Sequence, residues 1–155
     1  MGLEEYEIPI GRRLGIVAKQ FISVMYKTLS HIDIGTNFIV ILLIYKTGGT
    51  LTQQELADEC GLDKTNVLRI IDTLEEKGLL KRAPKLDDRR AYLIKLTPKG
   101  KKLIPVINKA IGDLNKKALN GISEGQQKSF FKTLDKISEN LHDLPAEKLL
   151  VSFNK

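Results

Sequence analysis

Cysteine is nearly absent from this chain of 155 residues, with Cys60 as its single representative. One thiol excludes an intramolecular disulfide framework and fits a reducing compartment. Long apolar runs are also missing. The longest, Phe38 to Tyr45, falls far short of the roughly 20 residues that cross a bilayer. The N-terminal MGLEEYEIPIGRR places acids before its basic residues and has no long apolar core, so it lacks the build of a secretory signal. A cytoplasmic protein without a membrane span is therefore expected. Histidine is scarce: His31 and His142 stand apart, with no cysteine or acidic cluster at metal-ligand spacing. Neither a metal nor another cofactor is expected. A glycine-rich phosphate loop, a Ser–His–Asp context and a pair of carboxylates placed for a cleft are all lacking, so no catalytic residues are assigned and no enzyme is expected. No internal repeat or low-complexity linker interrupts the chain.

Acidic charge is in deficit. The chain carries a net +6 with a pI near 9.4. Within Leu79 to Lys102, nine Lys or Arg oppose two Asp, a local +7 that exceeds the net charge of the whole chain. A cluster of this kind favours a polyanionic partner such as nucleic acid.

The ends of the chain carry a helical pattern. From Ile10 to Ser30, the residues Leu14, Ala18, Phe21, Met25 and Leu29 recur at spacings of three and four, one apolar stripe of a helix. A second helix is expected over Thr36 to Lys46. Its FIVILLIY run is apolar nearly all round, which suits burial on several sides, although its β-branched residues would also allow a strand. Gly48-Gly49 stops it. Toward the C-terminus, Leu103, Ile107, Ala110 or Ile111, Leu114 and Ala118 form another stripe, with Pro105 set to kink or divide it. Beyond Gly121, Ser123 with Gln126 opens a helix that carries Phe130, Leu134, Ile137 and Leu141 in a heptad-like seam. The tail after Pro145 is weakly patterned.

The middle of the chain holds the informative spacing. Thr52 with Glu55 three residues on has the form of a capping box, and the short helix that follows turns Leu56, Ala57 and Cys60 to one side. Gly61 ends it, and Asp63 caps the next helix, about Lys64 to Lys77. Two short helices around a tight glycine turn are a helix-turn-helix signature. At about 100° per residue, Val67, Ile70, Ile71 and Leu74 gather on one side of the second helix. Thr65, Arg69, Asp72, Thr73 and Glu76 lie opposite, with Asn66 on the flank. Thr65, Asn66, Arg69 and Thr73 are hydrogen-bonding types suited to base edges and phosphates. Asp72 and Glu76 come late, where a helix entering a groove by its N-terminus has left the DNA.

Leu79 to Pro84 and Ala91 to Leu96 then form two expected strands, joined by residues 85–90 with a turn near Leu86-Asp87-Asp88-Arg89. Thr97-Pro98 restarts a helix. Helix-turn-helix plus hairpin is a winged helix. The expected fold class is therefore mainly α (α+β), a winged helix-turn-helix at 36–100, with a helical dimerisation region from 1–35 and 101–155. The adjacent arginines Arg89 and Arg90 fall at the wing tip. They are either a solvated turn or a contact with something outside the protein.

The run LTQQELADECGLDKTNVLRIIDTLEEKGLLKR, the wing DDRRAYLIKLTPKG and the flanking long helices together resemble the multiple-antibiotic-resistance regulator (MarR) family. Asp88-Arg89-Arg90, followed by Leu96-Thr97, matches that family's Asp-x-Arg wing motif. Many members place Gln before the Phe of the second helix, where this chain has Asn37. The resemblance implies a homodimer that binds double-stranded DNA, with terminal helices as the dimer interface and ligands held between that region and the winged helix. The function it implies is a ligand-responsive repressor on an inverted-repeat operator. The alternative is a winged-helix module that binds DNA or protein without a small-molecule effector. The DNA-facing set is Thr52, Gln53, Lys64, Thr65, Asn66, Arg69, Thr73, Arg89 and Arg90, with Asp88 orienting the wing through a charge-assisted pair with Arg90. Met25, Tyr26, His31, Phe38 and Tyr45 are candidates to line a pocket for a small aromatic or phenolic effector, although such a stripe also suits plain core. Cys60 points to the core and is expected to be inert rather than a redox sensor. The family's peroxide-sensing members carry their reactive cysteine near the N-terminus, where this chain has none.

Overall fold

In the computed structural model, residues 9–145 are described. The chain opens with α1 (Ile10–Thr28), whose apolar stripe brings Met25 and the following Leu29 into the core. A 3-10 turn at Ser30–Ile32, not foreseen in the sequence, leads to Asp33 in the left-handed region with φ 48°. The second helix, α2 (Phe38–Lys46), begins two residues later than expected, because residues 35–37 form a turn. Its apolar run is helix, not strand. Phe38, Val40, Ile41 and Ile44 are buried, with α3, α6 and β2 all packed against it.

The helix-turn-helix consists of α3 (Gln53–Cys60) and α4 (Lys64–Glu76). Local chemistry defines their ends. Thr52 and Glu55 form a reciprocal capping box at the start of α3, and Gly61 closes it at φ 62°. Asp63 accepts from the backbone N–H groups of Thr65 and Asn66 and so caps α4. Leu56, Ala57, Val67, Ile71 and Leu74 are fully buried where the two helices pack.

The wing is an antiparallel pair, β1 (Leu80–Lys85) and β2 (Asp88–Leu96). Its turn is shorter than expected. Only Leu86 and Asp87 connect the strands, and Arg89, Arg90 and Ala91 belong to β2. The physical reason is a register shift at Pro84/Lys85: Pro84 pairs with Tyr92, whereas Lys85 pairs with Asp88. The arginines thus occupy the longer, bulged side of the hairpin. On its other edge β2 bridges to Thr52, and Ile94 N–H donates to Leu51 O at 3.0 Å, tying the wing to the start of α3.

Leu80, Ile94 and Leu96 carry the sheet into the core. The chain then forms α5 (Pro98–Lys101) and α6 (Ile104–Ala118). The helix is divided near Pro105, one of the two outcomes expected, and Pro105 sits in the first turn of α6, where its missing N–H has no helical partner to lose. The last described helix, α7 (Glu124–His142), is capped by Ser123 and Gln126 and buries none of its residues. One apolar cluster runs from Met25 and Leu29 through α2, α3 and α4 to the sheet and Ile107. The weakly patterned tail after Pro145 lies outside the described residues.

Candidate nucleic-acid interface

The core-facing side of α4 leaves its opposite face outward. Lys64, Thr65, Arg69 and Thr73 are exposed there, and Asn66 is half-buried on the flank. Their side chains differ in freedom. Asn66 Nδ2 donates to Asp63 Oδ2 at 2.5 Å, so this amide belongs to the helix cap. Thr73 Oγ1 donates back to Arg69 O at 2.8 Å. Lys64, Arg69 and the Thr65 hydroxyl have no partner among the described residues. The free donors are therefore concentrated in the first two turns of α4.

At the start of α3 the expected pair also divides. Thr52 is absorbed by its cap: its N–H donates to Glu55 Oε2 at 2.7 Å and its hydroxyl to the same oxygen at 2.8 Å. The Thr52 N–H and hydroxyl hold the Glu55 carboxyl below the usual carboxylate range. Gln53, half-buried, carries no such commitment among the described residues.

In the wing, Arg90 is exposed on β2. The Arg89 side chain lies outside the described residues. Asp88 Oδ1 accepts from the backbone N–H of Arg90 at 2.9 Å. The carboxylate thus meets the main chain of Arg90, where a pair with its guanidinium had been expected. An aspartate bonding an N–H two residues on is a local turn element that holds the backbone of the bulge.

Sequence reasoning missed a clamp between wing and recognition helix. Arg82, on β1, pairs with Asp72 at 2.6 Å and with Glu75 of α4, while its own N–H donates to Glu75 Oε1 at 2.9 Å. The outward acid Asp72 therefore has a structural partner and is not simply a charge beyond the DNA. The signal was present: two acids three residues apart on one helix, then a glycine reversal at Gly78, then an arginine. A second tie joins α4 to the α1–α2 connection, where Lys77 Nζ donates to Asp33 O at 2.5 Å and meets Asp33 Oδ2 at 2.8 Å. Sequence separation hid this one.

Of the five candidate pocket residues, the structure brings two together. A cavity of about 150 Å³ between α1, α2 and α6 is lined by Met25 and Phe38 with Phe21, Ile22, Ile111 and Asn115. Tyr26 and Tyr45 are about half exposed and His31 is exposed, all outside this cavity. Cys60 is half-buried against the core, and that burial, aided by the charge of Glu59, pushes its thiol pKa up. A raised pKa disfavours the reactive thiolate. Among the described residues no group of His, Cys, Asp and Glu is placed to hold a metal ion, and no helix is long and apolar enough to cross a membrane.

Comparison with known proteins gives this geometry a setting. Residues 36–92, from the turn before α2 into β2, match the model of the MarR family. A MarR-family transcriptional regulator from Listeria monocytogenes, solved with a 26mer DNA, is similar at 27% identity and a TM-score of 0.81, covering 87% of this chain and 90% of that one. A transcriptional regulator designated PA3341 is similar at 30% identity and a TM-score of 0.78, over 88% of this chain and 100% of its own. A cysteine-to-serine mutant of MarR from E. coli, complexed with operator DNA, is similar at 25% identity and a TM-score of 0.75, over 88% of this chain and 99% of that one.

Proposed function

Since this chain belongs to the MarR family of transcriptional regulators, we propose that it works as a homodimeric repressor on an inverted-repeat operator. The observation that carries the reading is the row of uncommitted donors, Lys64, Thr65 and Arg69, on the outward first turns of a capped α4. A recognition helix enters the major groove with its N-terminal residues at the base edges. The basic wing, with Arg90 exposed on its bulged strand, then reaches the flanking minor groove, whose narrow A·T-rich stretches attract arginine. Similar proteins solved with a 26mer DNA and with operator DNA support this use of the fold. In this scheme 36–100 reads DNA, and α1, α6 and α7 hold two copies together in the cytoplasm.

Selection of bound duplexes from a random pool, followed by fluorescence anisotropy on the enriched sequence, tests the proposal. The parent chain is expected to prefer an inverted repeat with half-sites about 34–36 Å apart. Arg69→Ala is expected to cost about 1–3 kcal/mol of discrimination between that duplex and a scrambled one. If the variant discriminates as well as the parent, Arg69 reads no base.

A small aromatic effector is the finer part of the proposal, and the cavity bears on it. Its volume of about 150 Å³ in the single chain is below the roughly 300 Å³ at which ligand pockets begin, so this cavity by itself does not enclose a drug-sized ligand. Titrating salicylate into the protein–DNA complex separates the two. Release at submillimolar salicylate supports an effector, and an unchanged complex supports the alternative.

A further inference from the structure

Strand register assigns a face of the wing that the proposed DNA contacts leave unused. Leu80 pairs with Leu96, Arg82 with Ile94 and Pro84 with Tyr92, without irregularity until Pro84. Side chains two residues apart share a face, so these six line one side of the hairpin. Its inner end, Leu80 and Leu96, is core. Its middle is bound to the recognition helix, because Ile94 is buried and Arg82 holds Asp72 and Glu75. Its outer end is Pro84 and Tyr92, both exposed, Tyr92 by 48%.

The direction of this face follows from the same contacts. The chain reverses at Gly78, and Arg82 reaches back seven and ten residues along α4. Moving outward from Arg82 to Pro84 and Tyr92 therefore moves back toward the DNA-facing turns of α4 that carry Arg69 and Thr65. Along the hairpin, Tyr92 lies between Ile94, packed in the core, and the bulge that carries Arg90. Its hydroxyl has no partner among the described residues. If α4 occupies the major groove and the wing the adjacent minor groove, the sugar–phosphate strand dividing the grooves passes between them.

We propose that Tyr92 is a DNA-contacting residue whose hydroxyl donates to a phosphate of that dividing strand. The inference rests on the DNA-binding reading above. Tyrosine is among the side chains that bond phosphate oxygens, and such contacts set register and orientation without reading sequence. As a neutral donor, Tyr92 displaces no counterion, which separates its signature from that of the basic residues.

The test uses the full chain, the duplex enriched by selection and its scrambled counterpart, with anisotropy at several salt concentrations. Tyr92→Phe removes only the hydroxyl and leaves the Pro84 pairing, so folding is checked by circular dichroism. The expected result is binding weakened roughly three- to tenfold, by a similar factor on both duplexes, with the salt slope unchanged. Arg90→Ala, measured alongside, is expected to flatten the slope by about one unit. Tyr92→Phe binding as tightly as the parent overturns the proposal and leaves Tyr92 as a surface partner of Pro84. A loss confined to the selected duplex, or accompanied by a flatter slope, also overturns it. A parent chain that binds neither duplex brings down the DNA-binding reading itself, a result distinct from an unaffected Tyr92→Phe.

Discussion

Gly100, in the first turn of α5, has no room for a side chain. A Cβ there would lie 2.0 Å from the carbonyl oxygen of Leu79, which is backbone and cannot swing aside. The close approach is reinforced by Thr97, whose hydroxyl donates to Gly78 O at 2.7 Å and accepts from Gly100 N–H. Gly100→Ala is expected to destabilise the protein by at least the ~1–3 kcal/mol typical of overpacking, read as a lower urea midpoint. At the wing, Asp88 carries negative charge beside the proposed DNA path, yet its carboxylate holds the Arg90 N–H at 2.9 Å. Asp88→Ala is therefore expected to weaken DNA binding by loosening the bulge that presents Arg90. A merely solvated acid predicts the opposite sign. Anisotropy at fixed salt decides, and tighter binding by Asp88→Ala would falsify the orienting role.

Elements are joined here by chemistry at their ends. The capping box of α3 links Thr52 and Glu55 in both directions, and Thr52 also bridges to Leu93 of the wing. Thr52→Ala is expected to cost about 1 kcal/mol of stability at neutral pH. The partner carboxyl sets the pH window. Glu55 has its folded pKa lowered by hydrogen bonds from the Thr52 N–H and hydroxyl. Its contribution is present above its unfolded pKa and lost as pH falls through the depressed folded value. The stability gap between the parent and Glu55→Gln should accordingly shrink on acidification, which denaturant titrations across the carboxylate range can show. A gap that widened in acid would contradict the assignment. The Arg82 clamp belongs to the same scale. It couples β1 to α4, so the wing and α4 are held as one unit.

For the whole molecule, the notable surface is apolar. Ile10 and Val17 of α1 and Phe130, Phe131 and Leu141 of α7 are each about half exposed, and α7 buries no residue against the rest of the chain. Helices with one apolar stripe need a partner for it. In the proposed homodimer, a second copy of the chain related by a two-fold axis would supply one through a self-complementary interface. Sedimentation is expected to show a dimer at micromolar concentration. Phe130→Asp with Phe131→Asp should shift it to monomer while circular dichroism retains its helices. A parent that sediments as a monomer removes the basis for an inverted-repeat operator.

Much of this architecture was legible from local signals. Capping at Thr52, Asp63, Thr97 and Ser123, glycine stops at Gly61 and Gly78, and three- and four-residue apolar spacing are short-range effects, so helix ends fell within one or two residues of their expected places. The outward row of α4 was legible because helical geometry alone divides its faces. Packing decided the rest. FIVILLIY suited helix or strand until α3, α6 and β2 enclosed it. The shortened wing turn depends on a register shift that no single strand encodes. Asn66 and Thr73 have the right chemistry for DNA, and only the fold shows that each also donates one hydrogen bond to a neighbouring acceptor. Tyr26, His31 and Tyr45 shared a composition with Met25 and Phe38 but not a location, since a cavity gathers residues from separate helices. Arg82 with Asp72 and Glu75, and Lys77 with Asp33, came together only when chain reversal and long-range packing brought distant charges within a few ångströms. Periodicity and caps act over three or four residues and are written along the chain, whereas the pairing of side chains between elements exists only once those elements have docked.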